Sequence, residues 1–253
     1  MHYTQRELMV VAAAREIRDG EMVFVGMRLP LLSFAVAKEL HAPRSIGIFE
    51  NGVIRDRPAL ESIFTISDPP NVARALYCGG ILDVMGLLQS GQVDLGFIGG
   101  AEIDRFGNLN THWVEESGKK IRLPGSGGAA DIATLARRCI IIMNHEKRRF
   151  RPRVRFITSP GYGEGGDWRR MKHIHGGGPS RVITSLGIFS FDPVSGEMLL
   201  GFFHPGVTVE EIRDETGWPL RVSGDLRETP PPSPEELGAV RKYDPKGVWT
   251  ANG

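Results

Sequence analysis

The chain has 253 residues, with 31 lysines and arginines against 30 aspartates and glutamates, and a formal net charge of +1. This balance excludes a protein that binds nucleic acid or an anionic membrane mainly through bulk charge. The two cysteines exclude a disulfide scaffold and a cysteine-rich zinc module. No stretch reaches the roughly 18 apolar residues of a membrane helix.

The N-terminal segment 1–20 predicts a helix and not a signal peptide, because charged side chains interrupt its short apolar patch. Thr4 followed by Glu7 is the spacing of a capping box, in which each residue satisfies a backbone N–H at the start of a helix. We therefore expect a cytoplasmic protein that begins with a helix.

The first half of the chain then alternates strand and helix patterns. Strands are predicted over 21–26, 45–49, 93–98 and 139–143, and helices over 31–40 and 130–138. Strands that are apolar on both faces and alternate with helices are typical of a parallel sheet covered on both sides. The fold class predicted is α/β, with a mostly parallel sheet flanked by helices.

The second half is richer in β-structure. Strands are predicted over 153–158, 181–185 and 198–203, and helices over 209–216 and 234–243. Prolines at 230–232 favour an extended surface path before the last helix. We expect one domain over 1–253, with a Pro-rich C-terminal extension of about 229–253.

A carboxylate follows the second predicted strand directly, in the sequence Glu50-Asn51-Gly52. In open parallel sheets, ligands bind beyond the carboxyl ends of the strands, so this position suits a catalytic group. The alternative is a hairpin-type turn whose glutamate points into water, since Asn-Gly is a common turn pair.

Two glycine clusters mark further candidate sites. Gly99-Gly100 follows the strand over 93–98, and paired glycines let a backbone or a ligand approach closely; the alternative is a plain loop. The segment 125–129 precedes a helix, and such a loop directs free N–H groups at a phosphate or an oxyanion. The alternative here is a helix start with a flexible entry loop, since neither the Walker nor the dinucleotide spacing is present.

Other features carry less functional information. His173 and His175 alternate as two metal ligands would, but no nearby carboxylate or cysteine completes a set, so no metal is expected. The basic run 147–151 is interpreted as a solvated or partner-facing segment. Cys78 and Cys139 are expected to be small buried side chains.

In this order and spacing, these features resemble the β subunits of family I CoA-transferases, and among them those of glutaconate CoA-transferase. The resemblance covers almost the whole chain. It is carried by the segments 25–26, 29–31, 36–38, 42–43, 97–104, 107–108, 125–129, 145–150, 158–161 and 186–187.

The resemblance implies the chemistry. The family's catalytic glutamate falls on Glu50, which would carry an acyl-glutamyl anhydride and then a glutamyl-CoA thioester. Coenzyme A, as acyl-CoA, would be the substrate, and no metal would be needed. A separate α subunit would be needed to complete the site, so this chain alone would be inactive. The residues that the resemblance assigns to the oxyanion and to CoA are Asn51, Gly52, Gly99, Gly100, Gly125, Gly127, Gly128 and Ala129.

Two positions depart from the glutaconate enzyme's pattern. Asn51 stands where that enzyme has serine, and asparagine here is more typical of 3-oxoacid CoA-transferases. Arg28 stands in a loop after the first strand where a small residue is expected, and we hypothesise that it contacts a substrate carboxylate or a CoA phosphate. The donor acid, the acceptor acid and the subunit stoichiometry are open.

Two other functional classes fit the same features. A relative of this architecture could hydrolyse or decarboxylate a CoA ester, although Glu50 favours transfer. A non-catalytic module that binds CoA or another effector is the second alternative. No feature of the sequence points to nucleic acid or to a membrane as a partner.

Overall fold

The computed structural model describes residues 2–59, 63–116 and 118–251. The helices are α1 (Gln5–Arg15), α2 (Leu29–Leu40), α3 (Pro69–Val72), α4 (Ile81–Gln89), α5 (Ala129–Leu135), α6 (Trp168–Met171), α7 (Val209–Asp214) and α8 (Pro234–Tyr243). The strands are β1 (Met22–Phe24), β2 (Ile46–Ile48), β3 (Val53–Arg55), β4 (Tyr77–Cys78), β5 (Leu95–Ile98), β6 (Glu102–Asp104), β7 (Leu109–Asn110), β8 (Trp113–Glu116), β9 (Lys119–Arg122), β10 (Arg138–Met143), β11 (Phe150–Arg151), β12 (Pro179–Thr184), β13 (Gly187–Phe191), β14 (Met198–Phe203) and β15 (Arg221–Glu228).

The chain divides into two compact units, Met1–Phe97 with Pro230–Gly253, and Ile98–Thr229. In the first unit, β1 lies between β5 and β2 and pairs with both in parallel. The strands β2, β3 and β4 then continue as antiparallel neighbours. The expectation of one domain over 1–253 stays a prediction.

Three helices, α1, α2 and α8, pack against one another in the first unit. The predicted capping box of α1 is present: the Thr4 hydroxyl accepts from the Glu7 N–H at 3.1 Å, and the Glu7 carboxylate accepts from the Thr4 N–H at 2.8 Å. Arg15 and Arg241 join α1 to the C-terminal segment through ion pairs with Glu236 at 2.7 Å and with Glu7 at 2.8 Å. The segment beyond the prolines is therefore part of this unit.

The second unit is the β-richer one, as expected. Its strands β10, β12, β13, β14 and β15 are neighbours in that order, parallel at both ends and antiparallel through β12, β13 and β14. Smaller sheets join β11, β6 and β7, and pair β8 with β9. The predicted α/β class, with a mostly parallel sheet flanked by helices, is confirmed.

The predicted strand over 153–158 is wrong. These residues lie between Pro152 and Pro160 and belong to none of the strands given above. The Val154 N–H donates to the Asp104 carboxylate at 3.3 Å, and the Thr158 N–H donates to the Leu109 carbonyl at 2.8 Å. Proline has no N–H to donate to a neighbouring strand, so the prolines at both ends limit strand pairing here. The alternation of arginines and apolar residues suggested such pairing.

Several motifs of the resemblance serve the core of the second unit. The Asn108 side-chain oxygen accepts from the N–H groups of Gly161 and Gly163, both at 3.0 Å. His145 stacks on Phe150 with 3.7 Å between ring centroids, and burial lowers the pKa of this imidazole to about 3. These residues hold the fold together and are not free for chemistry.

No helix among the described residues is long and apolar enough to cross a membrane.

Candidate active site

Glu50 lies on the tip of a tight turn between β2 and β3. The Phe49 N–H donates to the Val53 carbonyl at 2.9 Å, and the Gly52 N–H donates to the Phe49 carbonyl at 2.9 Å. Because β2 and β3 are antiparallel, the turn is a hairpin, and whether Glu50 is catalytic stays a prediction. The turn leaves Glu50 half-buried, so its carboxylate is held on fixed backbone and remains partly open.

The backbone of Gly52 packs directly against Gly79 because Gly52 has no side chain. Its φ is +97°, a value that side chains disfavour, and a Cβ there would lie 2.4 Å from the Gly79 carbonyl oxygen. The Gly79 N–H in turn donates to the Gly52 carbonyl at 3.0 Å. Sequence reasoning missed Gly79 and Gly80, although paired glycines directly after a strand were the available signal.

Both polar atoms of the Asn51 side-chain amide form hydrogen bonds within the protein. Its Nδ2 donates to the Ile66 carbonyl at 2.7 Å, and its Oδ1 accepts from the Val53 N–H at 3.3 Å. These two bonds join the turn to Ile66 and to Val53. The amide is thus in use by the protein before any ligand arrives.

Gly99 and Gly100 follow β5, as predicted. A Cβ on Gly100 would lie 2.6 Å from a methyl carbon of Leu109, and one on Gly99 would lie 3.5 Å from the Ile142 carbonyl oxygen. The missing side chain at Gly100 is therefore needed for packing, because any other residue would displace Leu109.

The loop 125–129 opens α5, as predicted, and its glycines bend it. Gly125 and Gly127 have φ values of +98° and +50°. The Gly125 N–H donates to the Thr111 carbonyl at 2.9 Å, and the Ala129 N–H donates to the Ser126 carbonyl at 3.0 Å. Gly127 is exposed, and within the described residues no acceptor takes its N–H. The loop thus offers a ligand the Gly127 amide, while the amides of Gly125 and Ala129 serve the loop itself.

Arg28 is the residue before α2 and has a φ of +65°, unusual for a residue with a side chain. Its guanidinium lies 5.7 Å from the centroid of the Trp249 ring. This contact holds an exposed positive charge at the start of α2, where it could meet an anionic ligand.

The cysteines differ from each other. Cys78 is exposed, so the expectation that it is buried is wrong; it lies on the two-residue strand β4, whose side chains face outward. Cys139 is buried as expected, and burial raises the pKa of its thiol to about 12. Among the residues that the structure describes, no three His, Cys, Asp or Glu side chains cluster as metal ligands would.

The family described as Coenzyme A transferase matches residues 6–215 of the chain. This chain belongs to the coenzyme A transferase family. The B subunit of 3-oxoadipate CoA-transferase from Pseudomonas knackmussii is 38% identical over 96% of this chain and 94% of that protein. The B subunit of glutaconate CoA-transferase from Acidaminococcus fermentans is 34% identical over 95% of this chain and 92% of that protein.

Solved structures agree with this membership. The glutaconate coenzyme A-transferase of Acidaminococcus fermentans matches with a TM-score of 0.91 and 31% identity, over 100% of this chain and 99% of that chain. The decarboxylase AibA/AibB matches with a TM-score of 0.83 and 26% identity, over 98% of this chain and 97% of that chain. The expected family and fold are confirmed, and the two curated relatives named above are B subunits of CoA-transferases.

The exposed Gly127 amide can be tested against a glycine of the same backbone geometry. Gly166 is also exposed and has a φ of +55°, close to the +50° of Gly127. Alanine at either position costs roughly 1–2 kcal/mol of stability, because left-handed backbone disfavours a Cβ. We expect Gly127→Ala to lower CoA-transferase turnover by roughly tenfold or more, because the sequence predicts that this amide stabilises an oxyanion. Gly166→Ala should unfold at a similar temperature with full turnover.

Equal turnover of the two variants, measured with the assembled enzyme, would show that the Gly127 amide takes no part in the reaction.

Proposed function

We propose that this chain is the B subunit of an enzyme that transfers coenzyme A between carboxylic acids, with Glu50 as the nucleophile. The observation that carries the proposal is a half-buried carboxylate on a hairpin turn, in a chain whose family match spans residues 6–215. The turn is held by the bond from Asn51 to the Ile66 carbonyl and by the bond from the Gly79 N–H to the Gly52 carbonyl. A backbone held in this way suits a carboxylate that must form and break a covalent bond in every catalytic cycle.

The first half-reaction loads CoA onto the protein. The Glu50 carboxylate oxygen attacks the thioester carbonyl of the acyl-CoA, the C–S bond breaks, and CoA leaves as the thiolate. The thiolate then attacks the Glu50 carbonyl of the resulting anhydride, and the first acid leaves as its carboxylate. Glu50 now carries CoA as a thioester, which keeps the activated group on the protein.

The second half-reaction repeats these steps in reverse. The acceptor carboxylate attacks the carbonyl carbon of the Glu50 thioester, and CoA leaves as the thiolate. This step forms a second anhydride, between Glu50 and the acceptor acid. The thiolate then attacks the acceptor's carbonyl, so the new acyl-CoA leaves and the Glu50 carboxylate is restored. No proton or electron is gained or lost overall, and neither a metal nor a redox cofactor is required.

Every step passes through a tetrahedral oxyanion, which a preorganised N–H donor stabilises by roughly 3 kcal/mol. We assign this role to the Gly127 amide, because the neighbouring amides of Gly125 and Ala129 already donate within the chain. Gly52 and Asn51 shape the Glu50 turn, and Gly99, Gly100 and Gly128 remain candidates for contacts with CoA. Binding of the distant part of CoA would also help to drive the reacting carbonyl towards the transition state.

The substrates we propose are CoA esters of short dicarboxylic acids. Two relatives support this class, since their names give 3-oxoadipate and glutaconate, which are both dicarboxylates. Arg28 supplies an exposed cation for the second carboxylate or for a CoA phosphate. The cytoplasmic location expected from the sequence stays a prediction.

Decarboxylation is a second candidate function, favoured by the structural match to the decarboxylase AibA/AibB. Glu50 supports transfer, because a carboxylate nucleophile exchanges one acid for another without loss of carbon. The two functions differ in their products, since transfer needs an acceptor acid and decarboxylation releases carbon dioxide without one.

The partner we propose is a separate α subunit, because the 3-oxoadipate and glutaconate relatives are B subunits. A run without charge, 75–82, would form its docking surface on this chain. The side chains Leu76, Tyr77, Ile81 and Leu82 of this run are 57%, 47%, 49% and 83% exposed. The run also contains Gly79, which contacts the Glu50 turn, so a partner seated here would cover the nucleophile as well.

The role of Glu50 is tested by exchange of labelled acid into acyl-CoA. Glu50→Gln should lower the exchange rate by roughly a thousandfold or more while CoA still binds, because the amide is a poor nucleophile. Asp56→Asn is the matched control: Asp56 lies just beyond β3, on the far arm of the same hairpin, and pairs with Arg57 at 2.8 Å. Full exchange by Glu50→Gln would refute the nucleophile, and acceptor-independent release of carbon dioxide by the unmodified enzyme would favour decarboxylation.

The docking surface is tested with two equally exposed apolar residues. Leu82 is 83% exposed in the first unit, and Val194 is 82% exposed in the second. Leu82→Asp should weaken co-purification with the partner chain by roughly tenfold or more, because it places a charge in an apolar interface. Val194→Asp should retain the partner normally. Unchanged binding by Leu82→Asp would rule out the surface.

A further inference from the structure

Two side-chain amides share one backbone carbonyl beside the nucleophile. The Ile66 oxygen accepts from Asn51 Nδ2 and from Asn71 Nδ2, both at 2.7 Å. Asn51 directly follows Glu50 in the turn, and Asn71 lies in α3. The shared carbonyl therefore joins the Glu50 turn to the segment 63–73, which follows the hairpin in the chain.

The segment 63–73 is itself anchored to β3 by Arg55. This guanidinium is 2% exposed and donates to the carbonyls of Asn71, of Ala73 at 2.9 Å and of Pro70 at 3.2 Å. No carboxylate of the described residues forms an ion pair with it, and burial lowers the pKa of the guanidinium. A buried cation that is bonded only to carbonyls fixes the backbone carrying those carbonyls.

Asn71 retains its amide at a cost to stability. The residue is 0% exposed, and its Oδ1 accepts no hydrogen bond from the described part of the chain. A buried carbonyl oxygen without a donor is destabilising, so an apolar residue of the same size would pack at least as favourably. What the amide supplies is the Nδ2 bond to Ile66.

We propose that Asn51 and Asn71 are positioning residues that hold Glu50 in place through the Ile66 carbonyl. Glu50 must keep its location while it changes from carboxylate to anhydride to thioester, and a displacement of about 1 Å can cost a hundredfold in rate. Asn71 fixes the carbonyl, the carbonyl fixes Asn51, and Asn51 fixes the turn. This inference rests on the proposed function, because it concerns the proposed nucleophile.

Asn71→Leu separates positioning from a structural role. The leucine removes the orphan Oδ1 and the bond to Ile66 together, so we expect an unchanged or higher unfolding temperature. The same variant should lower kcat for acyl exchange by about tenfold and leave KM for acyl-CoA within about twofold, since substrate contacts are unaffected. A merely structural residue would not combine retained stability with slower turnover.

A double-mutant cycle tests the shared carbonyl. Asn51→Ala should lower kcat more than Asn71→Leu does, because it releases the turn directly. If Asn71 acts through Asn51, the double variant should be no slower than Asn51→Ala alone. Full additivity would contradict the linkage, and a higher KM for acyl-CoA with normal kcat in Asn51→Ala would show that Asn51 binds CoA.

The two proposals fail in distinguishable ways. If Asn71→Leu is fully active while Glu50→Gln is inactive, the positioning inference is wrong and the nucleophile stands. If Glu50→Gln is active, the proposed function is wrong, whatever the asparagine variants do.

Discussion

The proposed chemistry depends on one carboxylate, that of Glu50, whose turn is held by several contacts. The hairpin between β2 and β3 closes the turn from within, Asn51 ties it to the Ile66 carbonyl, and Gly52 lies against Gly79 with no room for a side chain. Each of these contacts is made by backbone or by a short side chain, so no long, rotamer-rich side chain has to be ordered to form it. The backbone that carries Glu50 is therefore held at several points.

This arrangement suits covalent exchange between two acids of similar reactivity. Because donor and acceptor use the same glutamate, the enzyme gains nothing from favouring either, and its task is to lower the barriers that both share. A fixed nucleophile reduces the entropy lost on reaching each transition state. The Gly127 amide, in the role that we propose for it, would stabilise the oxyanion common to every step. Specificity for particular acids then depends on residues away from the reacting bonds. Arg28 is our candidate for such a residue.

The sequence predicts the helices and strands whose hydrophobic periodicity is clear. It predicts less well the features that depend on contacts between residues far apart in the chain. The helices α1 and α8 and the strand β14 follow local patterns, and the Thr4 capping box is visible in four residues. The strand predicted over 153–158 failed because neighbouring prolines and single tertiary bonds override its alternation. Glu50 could be identified from the sequence because it follows an apolar strand. The link between its turn and Asn71 could not be predicted, because it runs through a backbone carbonyl, and any residue type at position 66 would supply that carbonyl.

The most direct test of the account is the mass of this chain after the assembled enzyme meets acyl-CoA without an acceptor acid. A Glu50 thioester predicts an increase equal to CoA less one water, located to the peptide that contains Glu50 and abolished by Glu50→Gln. An unmodified chain in an enzyme that is exchanging CoA, or an adduct on another residue, would contradict the claim that Glu50 carries the group between the two acids.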